Sequence, residues 1–166
     1  MLGEALVVID LQNGVCHKNN EDIYNFANII AKVAARIKRY AAQGKPVVIV
    51  QHEDEDLVKG SIAWQLVPEL ELPDKVYFTN KKHANGFFHT NLNDLLIKLK
   101  ISQLELCGAQ TEYCVDATTK FAHGLGYKLL MSHGLTTTWD NQFMNAQQTI
   151  DFYENIWKTR FVSFID

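Results

Sequence analysis

Three residues far apart in the chain have the types that covalent hydrolysis needs: Asp10, Lys81 and Cys114. A thiolate can attack a carbonyl carbon. A carboxylate can take the thiol proton and return it to a leaving group, and a nearby ammonium group favours the ionised forms of both. Cys114 falls near the start of an expected helix. The stretch 103–107 reads as a strand, Gly108 stops it, and Thr111 caps a helix that runs through Ala117, Phe121 and Ala122. At about the third helical position the thiol would face unpaired N–H groups and the positive end of the helix dipole, which lowers a thiol pKa. Asp10 ends an apolar strand, where a carboxylate is costly unless bonded or used. Lys81 follows another strand, and Lys82 competes for any role assigned to it. Singly, the three could be a buried thiol, a turn cap and a solvated charge. Together they make a Cys–Asp–Lys arrangement in which Asp replaces the usual His base.

The elements that would position them can be read from periodicity. Residues 5–9 are a continuous apolar run, the pattern of a strand covered on both faces. From 22 to 43 a helical stripe includes Ile23, Phe26, Ile30, Val33 and Ile37, and Gly44 ends it. A second strand at 47–50 completes a right-handed parallel crossover. Residues 51–75 form a long excursion, acidic at 53–56, with one short helix expected at 63–66. A strand at 76–78, a Thr90-capped helix carrying Leu92 to Leu99, and the strand ending at Cys107 come next. After the Cys114 helix, closed by Gly124 and Gly126, come a strand at 127–131, a helix capped by Asp140 to about Trp157, and a strand at 160–164. This order predicts one α/β domain over 1–166: three layers, with a Rossmann-like, six-stranded, mostly parallel sheet between helices. Ligands bind such sheets beyond the C-terminal strand ends. Asp10, Lys81 and the Gly108–Cys114 stretch all leave strands on that side.

The bulk properties exclude several partners. With 47% hydrophobic residues and a net charge of −3, the chain has no basic footprint for nucleic acid or anionic membrane. No apolar run approaches a membrane span, and Met1-Leu2-Gly3-Glu4 lacks the basic segment of a signal peptide. Cys16, Cys107 and Cys114 cannot all pair and lack metal-ligand spacing. Reduced thiols, and hence a cytoplasmic location, are expected.

Several segments then share one pattern: Val8-Ile9-Asp10-Leu11-Gln12, the Gly60-Ser61 and Trp64 stretch, and Lys81 ahead of Asn85-Gly86-Phe87 and Thr90-Asn91-Leu92. The pattern continues through Gly108-Ala109-Gln110-Thr111-Glu112-Tyr113-Cys114-Val115 and Gly126-Tyr127. Over nearly its whole length the chain thereby resembles the isochorismatase-like cysteine hydrolases. The resemblance implies Asp10 as general acid/base, Lys81 as its partner and Cys114 as nucleophile. It selects Lys81 over Lys82 because the family lysine lies six residues before the phenylalanine matching Phe87. It also implies a non-proline cis peptide at Ala109–Gln110 and an oxyanion hole from the N–H groups of Gln110 and Cys114. Gln12, Trp64, Phe87, Tyr113 and Trp139 are the candidate substrate-contacting residues. A homo-oligomer, dimer or tetramer, is implied as well. The aromatic and Met content from Trp139 to Trp157 adds weak support for one.

The chain departs from relatives in two places. Nicotinamidases carry an Asp-x-His metal site beyond the second strand, whereas this chain reads Gln51-His52-Glu53-Asp54-Glu55-Asp56. The acidic run is expected to be a solvated face, and neither metal nor cofactor is expected. His133 stands where the family residue is usually acidic, and nothing in the sequence explains it. The leading reading is a hydrolase of an amide, ureide or carbamoyl group in a small molecule. Vinyl-ether hydrolysis with Asp10 as acid is the same-fold alternative. A non-catalytic binding protein and a redox-sensing thiol protein are the rivals of other classes.

Overall fold

The computed structural model describes residues 1–165. Its main sheet holds strands β1 (Ala5–Ile9), β2 (Val47–His52), β3 (Tyr77–Lys81), β4 (Gln103–Ala109), β5 (Lys128–Ser132), β6 (Thr136–Thr137) and β7 (Ser163–Ile165). The order is β3-β2-β1-β4-β5-β7, with β6 paired to the end of β4, and every pairing is parallel. Helices α1 (Phe26–Ala42), α2 (Leu92–Lys98), α3 (Asp116–Gly124) and α4 (Ala146–Arg160) pack around it. This is the expected α/β architecture, with seven strands rather than six among the described residues. The added strand, Thr136–Thr137, is too short to show any periodicity.

Strand β1 explains the layering. All five of its residues are fully buried, and their alternation supplies two cores. Leu6 and Val8 face Ile30, Val33, Ile37 and Tyr40 of α1. Ala5, Val7 and Ile9 face Leu92 and Leu96 of α2, Ala122 of α3 and Trp157 of α4. The chain moves outward from β1 through β2 to β3, then crosses back to β4 on the other side of β1. Strand order therefore reverses between β1 and β4, where open parallel sheets hold ligands.

Several boundaries differ from the sequence expectation, each for a local reason. Gly108 does not stop β4. It sits at φ +125° opposite Ile9, where a Cβ would lie 2.0 Å from the Ile9 carbonyl oxygen, so glycine lets β4 stay paired to β1. The short helix expected at 63–66 is absent. Backbone groups there bond outward instead: Asn13 N–H to Gln65 O at 2.8 Å and Gly14 N–H to Ala63 O at 2.9 Å, beside a Gln12–Leu66 bridge. Helix α1 starts at Phe26 because Glu21–Asp22 pairs with His17–Lys18 in a small hairpin, and Asn25 turns through a left-handed conformation. Asp140 is not the N-cap of α4. Asn145 and Gln148 form a capping box, while Asp140 Oδ1 accepts the Ala146 N–H at 2.7 Å. At the C-terminal edge, Trp157 fills the core, whereas Phe143 and Phe152 are exposed.

Two cysteines in these cores make stability sensitive to alkali. Cys16 and Cys107 are fully buried, and burial pushes both thiols up, Cys16 from 9.0 to about 12. The unfolded chain gives up these protons as pH passes the ordinary thiol value, while the folded chain keeps them. Stability is therefore intact below pH 9 and falls between 9 and 12, by up to about 1.4 kcal/mol per pH unit for each thiol. Urea unfolding measured across that window should show the decline, and Cys16→Ala should make it shallower. An identical slope in the variant would refute the assignment.

Candidate active site

Asp10, the residue after β1, adopts φ +51° while its N–H still bonds to Val50 O at 2.9 Å. Its carboxylate Oδ2 lies 2.6 Å from Lys81 Nζ, and both side chains are buried. Lys81 ends β3 instead of following it, in register with His52 at the end of β2. That register sets the two side chains together, with Lys81 Nζ 3.0 Å from His52 Nδ1. A third contact from the same ammonium group reaches Cys114 Sγ at 3.2 Å. The three residues read from the sequence thus meet at the switch point.

Cys114 is carried by a turn wider than an α-helix. Thr111–Val115 is π-helical and leads directly into α3. The N–H groups of Tyr113 and Val115 both donate to Gln110 O at 3.1 Å and bracket Cys114. Thr111 is not the cap: Gln110 holds the N-cap position, and Thr111 Oγ1 is buried without a partner among the described residues. Such π-turns recur at functional sites. The peptide between Ala109 and Gln110 is cis. Among the described residues the Gln110 N–H has no backbone acceptor, so it is available to a ligand at the foot of the Cys114 turn.

The electrostatics reverse the expectation of a lowered thiol pKa. Burial, then the Asp10 carboxylate, push the Cys114 thiol up to about 12, against the opposing pull of Lys81. Burial also raises Asp10, and Lys81 opposes it there too. The dipole of a short turn is outweighed by desolvation and a neighbouring negative charge. The thiol therefore rests protonated beside Asp10, whose Oδ2 meets Lys81 and whose Oδ1 is buried without a partner among the described residues. For this sulfur to act as a nucleophile it would have to give up that proton, and the raised proton affinity of Asp10 suits the carboxylate to receive one.

A cavity of about 230 Å³ opens on Asp10, His52, Gln110 and Cys114, with Lys18 and Gly14 on its walls. Lys18 and Gln110 also border an outer cleft of about 520 Å³, which Tyr113 and Trp139 line with Glu112 and Asp140. Two of the expected contact residues, Tyr113 and Trp139, thus face this cleft. Others are committed elsewhere. Gln12 is fully buried, its amide donating to His52 O and Trp64 O at 2.9 and 2.8 Å and accepting the His52 N–H at 2.7 Å, so it ties loops together. Phe87 is buried against Phe121 and Tyr127, with ring centroids 5.9 Å apart. Trp64 lines neither cavity, and its indole N–H is buried without a partner among the described residues.

His52, Asp54 and Lys18 were not singled out in the sequence as site residues. Asp54, within the run expected to be a solvated face, accepts from His52 Nε2 at 3.0 Å and takes the N–H groups of Asp56 and Leu57. Lys82 points away, 3.6 Å from Glu53 and largely exposed. Ligand-type atoms of Asp10, His52 and Cys114 lie within 4.8 Å of one another, yet all three converge on the Lys81 ammonium group. The position a cation would take among them is filled by the lysine. His133 bonds through Nδ1 to Glu154 at 2.5 Å and stacks on Phe164, away from this cavity.

The parallel sheet and the groups at its switch point are those of one known family. The isochorismatase domain matches residues 4–147, and the chain belongs to the isochorismatase family, whose members are hydrolases. A solved isochorismatase family protein superposes with a TM-score of 0.94 at 42% identity, covering 98% of this chain and 97% of that one. The isochorismatase family protein YddQ of Bacillus subtilis (strain 168) is 31% identical over 132 residues, 74% of this chain and 71% of its own. A streptothricin hydrolase of Streptomyces noursei is 27% identical over 143 residues; they make up 82% of this chain but only half the length of that relative. The N-carbamoylsarcosine amidase of Thermoplasma acidophilum shares the fold, with a TM-score of 0.82 at 20% identity over 99% of this chain and 95% of that one.

Proposed function

We propose that the chain is a cysteine-dependent hydrolase that cleaves a C–N bond in a small amide, ureide or carbamoyl compound. One observation carries this reading: a single buried ammonium group, Lys81, touches both the Asp10 carboxylate at 2.6 Å and the Cys114 sulfur at 3.2 Å beside a small cavity. As Sγ attacks the carbonyl carbon, its proton passes to Asp10 while the N–H groups of Gln110 and Cys114 receive the developing oxyanion. Asp10 then gives the proton to the departing nitrogen as the C–N bond breaks. Water, deprotonated by Asp10, adds to the thioester carbon; the C–S bond breaks and the proton returns to sulfur. A relative named for streptothricin hydrolysis and a structural neighbour named as an amidase agree with C–N cleavage. The raised Asp10 favours one other reading, in which protonated Asp10 acts as the acid on a vinyl ether and Cys114 is dispensable. The exposed Phe143 and Phe152 support the homo-oligomer implied by the family resemblance.

Purified protein assayed against amides, ureides, carbamoyl compounds and vinyl ethers tests the reaction class. Turnover of a C–N substrate with a mass adduct on Cys114 is expected. Turnover confined to vinyl ethers, with no adduct, would replace this reading by the second one. Chelators should leave the activity unchanged, because the Lys81 ammonium group fills the space between the candidate ligands. Loss of activity on dialysis against EDTA, restored by zinc or iron, would contradict that.

A further inference from the structure

We propose that His52, oriented by Asp54, is a positioning residue that aims the Lys81 ammonium group at the reacting pair Asp10 and Cys114. A lysine ammonium group has three protons and no lone pair. Here it has three acceptors, namely Asp10 Oδ2 at 2.6 Å, His52 Nδ1 at 3.0 Å and Cys114 Sγ at 3.2 Å. Two of these react in the proposed mechanism. His52 is the third leg of the tripod and does not react, so it holds the other two protons on line.

The tautomer follows from the partners. Because Lys81 can only donate, Nδ1 must carry a lone pair, and the ring proton resides on Nε2, which donates to Asp54 Oδ2 at 3.0 Å. Asp54 is itself fixed, since its other oxygen, Oδ1, accepts the N–H groups of Asp56 and Leu57 at 2.9 and 2.8 Å. The backbone of His52 is held separately by Gln12, in contacts that do not depend on the imidazole. A carboxylate thus selects a histidine tautomer, which orients a lysine, which serves the base and the nucleophile. The logic matches that of an Asp holding the His of a serine-protease triad. The charged and titratable groups around the imidazole are Lys81 from β3, Asp10 after β1, Cys114 on the π-turn, and Asp54, Asp56 and Lys18 on the cavity wall.

This inference rests on the assignment of Cys114 as nucleophile but not on the substrate. Its first readout is therefore the rate at which iodoacetamide alkylates Cys114, followed by mass spectrometry across pH 6–10, and its second is turnover. His52→Asn keeps an acceptor near the Nδ1 position, whereas His52→Leu keeps only bulk. His52→Leu should slow Cys114 alkylation and kcat at least about tenfold with little change in KM. His52→Asn should recover most of both. Asp54→Asn places an amide donor against Nε2, which puts a proton on Nδ1 facing the ammonium group. It should slow both rates in the wild-type background and add no further loss to His52→Asn. Equal behaviour of His52→Asn and His52→Leu, or an additive Asp54→Asn effect, would overturn the proposal, with thermal melts reporting any general loss of folding. Normal coupling in the alkylation rates without turnover of any C–N compound would leave the positioning role standing and sink the substrate class alone.

Discussion

Cys114→Ala should lower turnover of a C–N substrate by at least about a hundredfold while leaving the melting temperature close to that of the wild type. Cys114 as a whole is only partly buried and sits on a turn whose hydrogen bonds are made by the backbone of its neighbours, so replacing it by the smaller Ala costs little packing. Asp10→Asn should lose activity to a similar degree, but for a different reason and with a different side effect. The amide cannot take the thiol proton, and it leaves the fully buried Lys81 without its counter-charge. Some loss of stability should accompany the lost activity. Lys81→Ala should fall with these two, and Lys82→Ala should stay near wild type because that side chain is largely exposed, 3.6 Å from Glu53. Thermal melts and kinetics on the four variants, with one C–N substrate, separate the cases. Near-normal hydrolysis by Cys114→Ala would remove the thioester route.

The profile with pH follows from the same pair. Both Asp10 and Cys114 are held above their ordinary values by burial. Asp10 must be ionised to accept the thiol proton, so kcat/KM should rise through an acid limb lying above the usual carboxylate range. No alkaline thiolate is required, because the proton is transferred within the site.

What could be read in the sequence was what repeats or what the resemblance carried. The apolar run of β1, the stripe of α1 and the order of elements are set by periodicity, and the structure follows them. Roles that depend on register were not legible. Nothing local marks His52 as a partner of Lys81, since their contact exists only because β2 and β3 end level with one another. In the sequence Asp54 is indistinguishable from its acidic neighbours Glu53, Glu55 and Asp56, and only the turn back toward His52 separates it from them. The expected low thiol pKa failed because a helix-start argument counts dipoles and leaves out burial and the Asp10 charge beside the sulfur. The rule that glycine ends a strand failed at Gly108 because the close approach of Ile9 demands glycine inside the ladder.

Glu105 shows the same limit and carries the largest expected effect on stability. In the alternation of 103–107 it occupies a polar position, yet β4 is a central strand covered on both faces and Glu105 is fully buried. Its carboxylate is gripped by Arg36, through Nε at 2.6 Å and Nη2 at 2.7 Å, with Tyr40 OH donating at 2.6 Å and Ser132 Oγ at 3.2 Å. Tyr40 in turn accepts the Gly3 N–H, and Arg36 also reaches Met1 O, so the cluster fastens the start of the chain to α1. Glu105→Ala removes one charge and leaves the Arg36 guanidinium buried and unpaired, which costs about 3–5 kcal/mol. For a chain of this size that corresponds to a fall in melting temperature on the order of 10 °C. Replacing both partners by apolar residues, Glu105→Leu with Arg36→Met, should cost less than Glu105→Ala alone, because no charge is then stranded. Activity per folded molecule should be unchanged in all of these variants, since Glu105 pairs with Leu6 near the start of β1, whereas Asp10, Lys81 and Cys114 gather at the C-terminal ends of the strands. Urea unfolding of the single and double variants decides the matter. A Glu105→Ala loss below about 1 kcal/mol, or a double variant worse than either single one, would show that the ion pair is not what holds this part of the fold.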